Sequence, residues 1–170
     1  VRFLDGAKDL VIAFYGGEPL LNPSWIKAVM DNLDADHYVM QTNGLPLGNL
    51  EGDYWRRMDT VLLSIDGEKA VTDHYRGDGV YDAVVNAASA LRSMGFEGDL
   101  VARMTISRMS DVYRDVKHLL STRLFDHIHW QIDAIWGPEW RGFDRWRRES
   151  YEPGIGKLLG EWVDGTSAGD

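Results

Sequence analysis

The chain has 170 residues, of which 44% are hydrophobic and 26% are charged, proportions that are typical of one globular domain and exclude a disordered or low-complexity protein. Asp and Glu outnumber Lys and Arg by 27 to 18, which gives a net charge of −9 and argues against binding to nucleic acid or anionic membranes, because both favour a basic surface. The sequence has neither a membrane-spanning apolar run nor a signal peptide, so we expect a soluble cytoplasmic protein.

Five short apolar runs predict β-strands, and amphipathic patterns between them predict helices. The first run is continuous, as expected for a strand that is buried on both faces, and it ends at Gly16-Gly17. Asn22 followed by Pro23 then predicts a helix start, because Asn is a favoured N-cap residue and proline suits the first helical position. The predicted strands span residues 10–15, 38–42, 61–65, 100–106 and 127–132.

The predicted helices differ in how clearly they are patterned. A weak pattern at 50–58 lies between the second and third strands. The clearest helix follows the third strand and is expected to stop at Gly95. Its apolar face consists of Val84, Ala87, Ala88 and Leu91. Ser110 is the predicted N-cap of a further helix. The apolar stripe of that helix is Val112, Val116, Leu119 and Leu120.

The alternation of strands and helices indicates an α/β fold with consecutive βα units and a parallel sheet. We interpret residues 1–170 as a single domain whose βα units lie in 10–133. An irregular segment and a final helix are expected in 134–170.

Each predicted strand has an apolar face and a face that becomes polar towards its C-terminal end. On the third strand, for example, Ser64 and Asp66 alternate with apolar residues. The C-terminal ends of parallel strands lie together, so such side chains converge on one rim of the sheet, where α/β folds form their sites. Each residue alone has the simpler interpretation of a turn cap or a packing residue, whereas the set favours a site. Further candidates on this rim are Asn43, Arg103, Thr105, Gln131 and Asp133.

The strongest local signal is the segment Gly16-Gly17-Glu18-Pro19, directly after the first predicted strand. Glycines allow backbone conformations and a close approach of ligand that a side chain would obstruct. Their carbonyl oxygens could accept hydrogen bonds from an ammonium group, beside which Glu18 adds negative charge, while Pro19 stiffens the exit from the turn. The simpler interpretation is a tight strand-to-helix turn.

Four motifs follow one another along the chain. They are GGEP at 16–19, QTNG at 41–44, LSIDG at 63–67 and DHYRG at 73–77. Together they resemble those of radical S-adenosylmethionine (radical SAM) enzymes, in particular the branch that modifies peptides and sulfatases. The resemblance covers residues 14–133 and depends on the order of the motifs rather than on any one of them.

The resemblance implies an open, partial (β/α) barrel whose first βα unit is missing. It also implies that S-adenosylmethionine (SAM) is the cofactor, bound at its amino group by the GGEP segment and at its carboxylate by Ser64 and Arg76, whose hydroxyl and guanidinium donors suit a carboxylate. The implied reaction is reductive cleavage of SAM to a 5′-deoxyadenosyl radical, which abstracts hydrogen from a peptide or protein side chain. Asn43 and Asp66 are candidates without a firm role. The predicted cofactor-binding residues are Gly16, Gly17, Glu18, Pro19, Asn43, Ser64, Asp66 and Arg76.

The chain departs from this family in having no cysteine. The family binds a [4Fe–4S] cluster through a C-x₃-C-x₂-C loop after its first strand. We expect this loop to precede Val1 in a longer parent protein, and we expect the isolated chain to be inactive. The alternatives are a cluster-free binding or scaffold module, and a metal-dependent barrel hydrolase that binds zinc through His127 and His129.

Two further patterns concern partners. Near the C-terminal end, Trp and Arg residues interleave as they do in single-stranded nucleic-acid platforms, but nearby acidic residues favour a loop that packs across the sheet, so we expect no nucleic-acid partner. The strand at 10–15 would form an exposed apolar edge, and we expect either self-association through it or its coverage by residues 1–8. The interleaved residues are Trp136, Trp140, Arg141, Arg145, Trp146, Arg147 and Arg148.

Overall fold

The computed structural model describes residues 8–133 and 140–168, and its centre is a parallel β-sheet. The strands are β1 (Val11–Phe14), β2 (His37–Thr42), β3 (Thr60–Ser64), β4 (Asp99–Ile106) and β5 (His127–Ile132). Each strand pairs in parallel with the next one along the chain, so the order across the sheet is the order of the sequence. This confirms the predicted α/β fold with consecutive βα units.

Helices connect the strands and pack on the outer face of the sheet. The α-helices are α1 (Pro23–Asn32), α2 (Gly52–Trp55), α3 (Lys69–Arg76), α4 (Val80–Ser93), α5 (Val112–Ser121), α6 (Phe143–Trp146) and α7 (Glu152–Ala168). Shorter turns are the 3₁₀ segments Pro19–Leu21 and Leu47–Asn49 and the π-helical segment Arg147–Tyr151. Within the described residues, none of the helices has the length and apolar character that crossing a membrane requires.

The core forms where alternate strand residues meet the helices. On β4 the residues that face the helices are 0% exposed, which agrees with the predicted two-residue period. They pack with the buried residues of α4 and α5, and full burial of one such aliphatic side chain contributes roughly 1.5–3 kcal/mol. These β4 residues are Leu100, Ala102, Met104 and Ile106. The opposite face is left for the polar residues of the rim.

The helix starts agree with the sequence in one case and differ in another. Asn22 caps α1 through its side chain, as predicted. The predicted cap of α5, Ser110, is wrong, because its hydroxyl instead accepts the backbone N–H of Ser107 at 3.0 Å. Asp111 caps α5, with its carboxylate accepting the backbone N–H of Arg114 at 3.1 Å.

The sequence pattern does not predict α3, which lies between β3 and α4. This helix has eight residues and buries only Val71 and Thr72. Such a short apolar contact gives no detectable helical stripe. The helix matters for the site because Arg76 is its last residue.

Aspartates fix the register at the N-terminal ends of the strands. Each lies directly before β2, β3 or β5, and its carboxylate accepts a backbone N–H at the start of the preceding strand of the sheet or, for Asp36, from the residue just before that strand. The bonds run from Leu10 to Asp36 at 2.6 Å, from Tyr38 to Asp59 at 2.8 Å, and from Leu100 to Asp126 at 2.8 Å. Because a slip of one residue would turn every side chain to the other face, these bonds help to set which residues face the core.

The first strand lies at an edge of the sheet. β1 pairs with β2, and its residue Val11 is 53% exposed. The expected self-association through this edge stays a prediction. Its expected coverage by residues 1–8 concerns positions that lie almost entirely outside the described residues, since the description begins at residue 8.

The interleaved Trp and Arg segment is described from Trp140 onwards, and Trp136 lies outside the described residues. The rings of Trp140 and Trp146 pack with their centroids 4.8 Å apart. The indole N–H of Trp146 donates to the carbonyl of Ser110 at 3.2 Å, just before α5. In the described part, these aromatic rings are therefore packed against the domain.

Candidate functional site

A cavity of about 210 Å³ opens at the C-terminal ends of β1, β2 and β3. This is the rim at which parallel α/β folds bind ligands. The cavity is formed by the loop after β1, the end of β2, the last residue of β3 and the last residue of α3. Its lining residues are Tyr15, Gly16, Gly17, Glu18, Gln41, Thr42, Asn43, Ser64 and Arg76. All the predicted cofactor-binding residues except Pro19 and Asp66 are among them.

Gly16 and Gly17 form the wall of the cavity that follows β1. Their φ angles are +91° and +54°, values that glycine adopts without the steric cost that other residues incur. A Cβ atom built on either residue would meet no atom within 4 Å. The space beside both peptide groups is therefore open, and a ligand can approach this backbone closely.

Glu18 fastens the glycine loop to the end of β2. Its Oε1 accepts the Thr42 hydroxyl at 2.7 Å and the backbone N–H of Leu20 at 3.0 Å, and its Oε2 accepts the backbone N–H of Asn43 at 2.7 Å. A carboxylate offers about four acceptor positions. Glu18 therefore holds the loop in place and retains capacity for a further hydrogen bond on the cavity side.

The hydrogen bonds of Pro19 and Asn43 stabilise local turns of the chain. Pro19 begins the turn Pro19–Leu21, and its carbonyl accepts the backbone N–H of Asn22 at 2.9 Å. The side-chain Oδ1 of Asn43 accepts the backbone N–H of Leu45 at 2.9 Å. Asn43 lines the cavity and Pro19 supports the loop behind it, so a direct contact between Pro19 and a cofactor stays a prediction.

Ser64 brings an unpaired hydroxyl to the cavity. It is the last residue of β3 and is 8% exposed, and its hydroxyl makes no hydrogen bond within the described residues. Within the described residues, the one fully buried side-chain nitrogen or oxygen atom without a hydrogen-bond partner is Nε1 of Trp140, so the Ser64 hydroxyl is open to the cavity. An acceptor group of a ligand at this position can therefore receive a hydrogen bond from it.

Arg76 reaches the cavity from the end of α3 but is bound on one side by Asp66. Its Nε donates to Oδ2 of Asp66 and its Nη2 to Oδ1, both at 2.7 Å. Asp66 is 2% exposed, and its Oδ1 also accepts the backbone N–H of Thr105 at 2.8 Å. The structure thus places Asp66 behind Arg76, in the wall of an adjoining second cavity rather than of the first, and a direct cofactor contact of Asp66 stays a prediction.

Asp115 supports the loop that carries Asp66 into α3. It is 0% exposed, and its two oxygens accept the backbone N–H groups of Glu68 at 3.1 Å and Asp111 at 2.9 Å. Gly67 packs against it so closely that a Cβ atom there would lie 2.4 Å from the Asp115 Cγ. Burial of its carboxyl group raises the pKa of Asp115 above its usual value.

A second cavity, of about 260 Å³, adjoins the first and shares Arg76 with it. Its lining residues are Asp66, Tyr75, Arg76, Thr105, Ser107 and Asp133. Across it, the Ser107 hydroxyl donates to Oδ2 of Asp133 at 3.2 Å. The predicted rim residues Thr105 and Asp133 are therefore brought together.

The structure places Arg103 and Gln131 differently from these rim residues. The Nη1 of Arg103 donates to the carbonyl of Met104 at 2.9 Å, so its guanidinium is partly occupied by the backbone. Gln131 is exposed on β5. Neither side chain lines the two cavities described above.

Several lining residues have no predicted role from the sequence. Gln41 and Thr42 lie in the QTNG motif, and Tyr75 lies in the DHYRG motif, so the motifs themselves were the signal. Ser107 continues the alternation of Arg103 and Thr105 on the polar face of the fourth strand, and this period was its signal. Tyr15 carries no such signal, because it is placed by the loop that follows β1. Tyr15 is 75% exposed at the mouth of the first cavity.

The two histidines proposed as zinc ligands lie on β5. His127 begins that strand, at the end of the sheet opposite the cavities, and its Nδ1 lies 2.7 Å from Oδ1 of Asp99. The hydrogen bond and charge of Asp99 raise the pKa of His127. Among residues 8–133 and 140–168, no group of three or more His, Cys, Asp or Glu side chains is arranged to hold a metal ion.

Comparison with known proteins identifies the fold. No protein-family model and no curated protein matches the chain. Solved structures of anSMEcpe, an anaerobic sulfatase-maturating enzyme, do match it. The native protein with bound AdoMet (S-adenosylmethionine) has a TM-score of 0.73 at 20% sequence identity over 99% of this chain. The native protein with bound AdoMet and the Cp18Cys peptide has a TM-score of 0.62 at 21% identity over 82% of this chain.

The chain spans about half the length of the solved structures that it matches, with 50% of the first chain and 43% of the peptide-bound chain covered. At this level of identity the likeness establishes the fold. It confirms the expected partial barrel of the radical SAM type.

Proposed function

We propose that this chain is the SAM-binding part of a radical SAM enzyme that modifies a peptide or protein. The observation that carries the proposal is that Gly17, Ser64 and Arg76, which are far apart in the sequence, line one cavity. The motifs that resemble the family supplied all three residues, and the fold is that of an enzyme solved with bound AdoMet.

The chemistry of the cavity suits the amino-acid end of SAM. The open backbone at Gly16 and Gly17, with Glu18 beside it, offers acceptors for the ammonium group. The unpaired hydroxyl of Ser64 and the remaining N–H groups of Arg76 offer donors for the carboxylate. The two charged groups of the ligand therefore find complementary partners in one cavity.

The size of the cavity suits part of SAM rather than the whole molecule. Small-molecule pockets usually have about 300–1,000 Å³, whereas the first cavity has about 210 Å³. The adjoining cavity at Thr105 and Asp133 has about 260 Å³. We assign the amino-acid end of SAM to the first cavity, and the second is available to the rest of the ligand or to a substrate.

The residues of this chain do not fit a [4Fe–4S] cluster. Such clusters are held by Cys thiolates, and the 170 residues contain none. In enzymes of this family, SAM supplies the species that abstracts hydrogen from the substrate. Within the proposal, the role of this chain is to bind and orient the cofactor at its charged groups, and the ligands of a cluster come from outside these residues.

The proposed substrate class rests on the similar structures. Two of them contain a peptide together with AdoMet, and each covers 82% of this chain. The likeness supports a peptide or protein as the substrate of the full-length protein.

The test of the proposal is SAM binding to the chain and to Ser64→Ala, measured by calorimetry. Since the Ser64 hydroxyl has no partner among the residues that the structure describes, its removal should leave the fold intact while it weakens SAM binding about tenfold, the equivalent of one charge-assisted hydrogen bond. The matched control is Ser89→Ala on the exposed face of α4, which should bind SAM like the unsubstituted chain. Failure of the chain to bind SAM, or equal affinity of the Ser64 variant, would overturn the proposal. Stoichiometric zinc binding would instead favour the hydrolase alternative.

A further inference from the structure

The guanidinium of Arg76 has one occupied edge and one available edge. Asp66 takes the Nε and Nη2 edge through two hydrogen bonds of 2.7 Å. Arginine has five N–H donors in a planar fork. The Nη1 atom has no hydrogen-bond partner within the described residues, and Arg76 lines the first cavity. A second carboxylate can therefore bind the Nη1 and Nη2 edge while Asp66 keeps its own.

The position of Asp66 is itself fixed by three elements of the fold. Its carboxylate accepts the backbone N–H of Thr105 on β4, and it follows the end of β3. Its own backbone N–H donates to the hydroxyl of Thr72, which is 0% exposed on α3. An aspartate held in this way is a rigid reference point for the arginine that it binds.

We propose that Asp66 is a positioning residue that orients the Arg76 guanidinium to receive the carboxylate of an amino-acid ligand. The proposal rests on the proposed function, because that ligand is taken to be SAM. It assigns Asp66 an action through Arg76, in place of the direct cofactor contact expected from the sequence.

Two effects of Asp66 on ligand binding oppose each other. Its negative charge offsets the positive charge of Arg76 and so reduces the attraction for a carboxylate. Against this, an arginine side chain loses considerable conformational freedom when a ligand immobilises it, and Asp66 has already removed that freedom. The second effect is larger here, because the two hydrogen bonds fix both the position and the plane of the fork.

The first experiment needs no ligand. In Asp66→Asn the side-chain volume is kept, but an amide NH₂ replaces one acceptor oxygen, so the paired contact with Arg76 is lost. We expect the Arg76 Nε–H signal in NMR to exchange with water about tenfold faster than in the unsubstituted chain, as the loss of one such bond predicts. Unchanged exchange would overturn the proposal whether or not the chain binds SAM.

The second experiment compares SAM with decarboxylated SAM in calorimetry. We expect Asp66→Asn to weaken SAM binding about tenfold and to leave the affinity for the decarboxylated analogue unchanged, whereas general damage to the fold would weaken both. The matched control is Asp31→Asn, which breaks the pair between Asp31 and Arg57 away from the cavity and should change neither affinity. Equal SAM affinity of Asp66→Asn and the unsubstituted chain would overturn the proposal.

Two further variants separate failure of the proposed function and failure to fold from failure of the present proposal. If the chain itself binds neither ligand, the proposed function fails, and the exchange measurement alone decides the role of Asp66. If Asp66→Asn does not fold, Asp66→Glu keeps the charge but moves the carboxylate by one methylene, and it should also lose affinity for SAM only. In an Arg76→Lys background, substitution of Asp66 should have no further effect specific to the carboxylate, and a persistent effect would contradict an action through Arg76.

Discussion

The carboxylate of Asp66 and the guanidinium of Arg76 meet in a two-point contact, and the aspartate is almost entirely buried while the arginine side chain is 25% exposed. Removing the arginine therefore leaves a buried charge whose only remaining partner at the carboxylate, within the described residues, is the backbone N–H of Thr105. This relationship makes the pair a matter of stability as well as of binding.

We predict that Arg76→Ala lowers the free energy of unfolding by about 1–3 kcal/mol, because an uncompensated buried charge is costly and water at the exposed side of the pair reduces that cost. The double variant Asp66→Asn with Arg76→Ala should be more stable than Arg76→Ala alone, because the charge is gone. Urea denaturation of the single and double variants measures both effects. A double variant that is no more stable than Arg76→Ala would show that Asp66 is not the source of the loss.

Gly67 and Gly79 offer a matched pair of glycine substitutions. Both have positive φ, +130° and +80°, but a Cβ on Gly67 would meet Asp115 at 2.4 Å whereas a Cβ on Gly79 would meet nothing within 4 Å. We predict that Gly79→Ala costs about 1 kcal/mol through backbone strain. Gly67→Ala should cost at least about 2 kcal/mol more, because the side chain of Asp115 has to move. Thermal unfolding of the two variants tests this, and equal losses would contradict the close packing at Gly67.

The histidines at the N-terminal ends of β2 and β5 predict a pH dependence. Hydrogen bonds that their rings donate to the carboxylates of Asp59 and Asp99 raise the pKa of His37 and His127 above the usual value of 6.5. A raised pKa in the folded state means that each histidine stabilises the fold fully below pH 6.5, and that this contribution is lost as the pH rises through the raised pKa. NMR titration of the ring protons should give both pKa values above 6.5.

The corresponding stability measurement compares the unsubstituted chain with the double variant His37→Gln, His127→Gln. Between pH 6 and pH 9 the unsubstituted chain should lose more stability than this variant. The raised pKa of Asp115 also makes the fold less stable as the pH rises, in this case from 3.8 through the folded-state pKa of its carboxyl group. This effect is the same in the unsubstituted chain and in the variant. Parallel stability profiles would show that the two histidines do not contribute.

The aspartates that precede the strands predict a local effect on stability. Asp126 accepts the backbone N–H of Leu100 and also pairs with Arg92. We predict that Asp126→Ala lowers the free energy of unfolding by about 1–2 kcal/mol, because the N–H of a buried strand loses its acceptor. Asp126→Asn, which keeps one acceptor oxygen, should lose less. Neither variant should change SAM affinity, and a change in affinity would contradict the separation of the two ends of the sheet.

The exposed edge of β1 predicts self-association of the chain. Val11 is 53% exposed on this edge strand, and Val11→Lys places a charge that disfavours pairing with another edge. Analytical ultracentrifugation should show a smaller mean mass for Val11→Lys than for the unsubstituted chain. Ile132→Lys, on the opposite edge strand, is the control and should leave the mass unchanged. An unsubstituted chain that is monomeric at every concentration measured would contradict the prediction.

The general position of the site was predictable because it depends on strand order and on the two-residue period. Gly17 and Ser64 each follow or end a strand, and the C-terminal ends of parallel strands have to lie together. The burial of the β4 residues Leu100 and Met104 follows from the same period. These features require only short patterns along the chain.

The contacts within the site were less predictable because they join distant parts of the chain. Glu18 binds Thr42 and Asn43 across more than 20 positions, and no local pattern specifies that a carboxylate after one strand will bind the end of the next. The pairing of Asp66 with Arg76 depends on α3, whose two buried residues form no stripe. The sequence therefore indicated which residues approach the cavity but not which of them support the others.

The aspartates before β2, β3 and β5 lie at one end of the sheet, and the cavities lie at the other end. These aspartates maintain strand alignment where the strands begin, whereas Glu18 and Asp66 also join neighbouring strands where the strands finish. Mutation of cavity residues whose side chains bind no other strand, such as Ser64, can then alter ligand preference without shifting one strand against another. A domain arranged in this way can acquire a new substrate through changes of a few loop residues, and it offers protein engineers a frame in which the binding end can be redesigned separately.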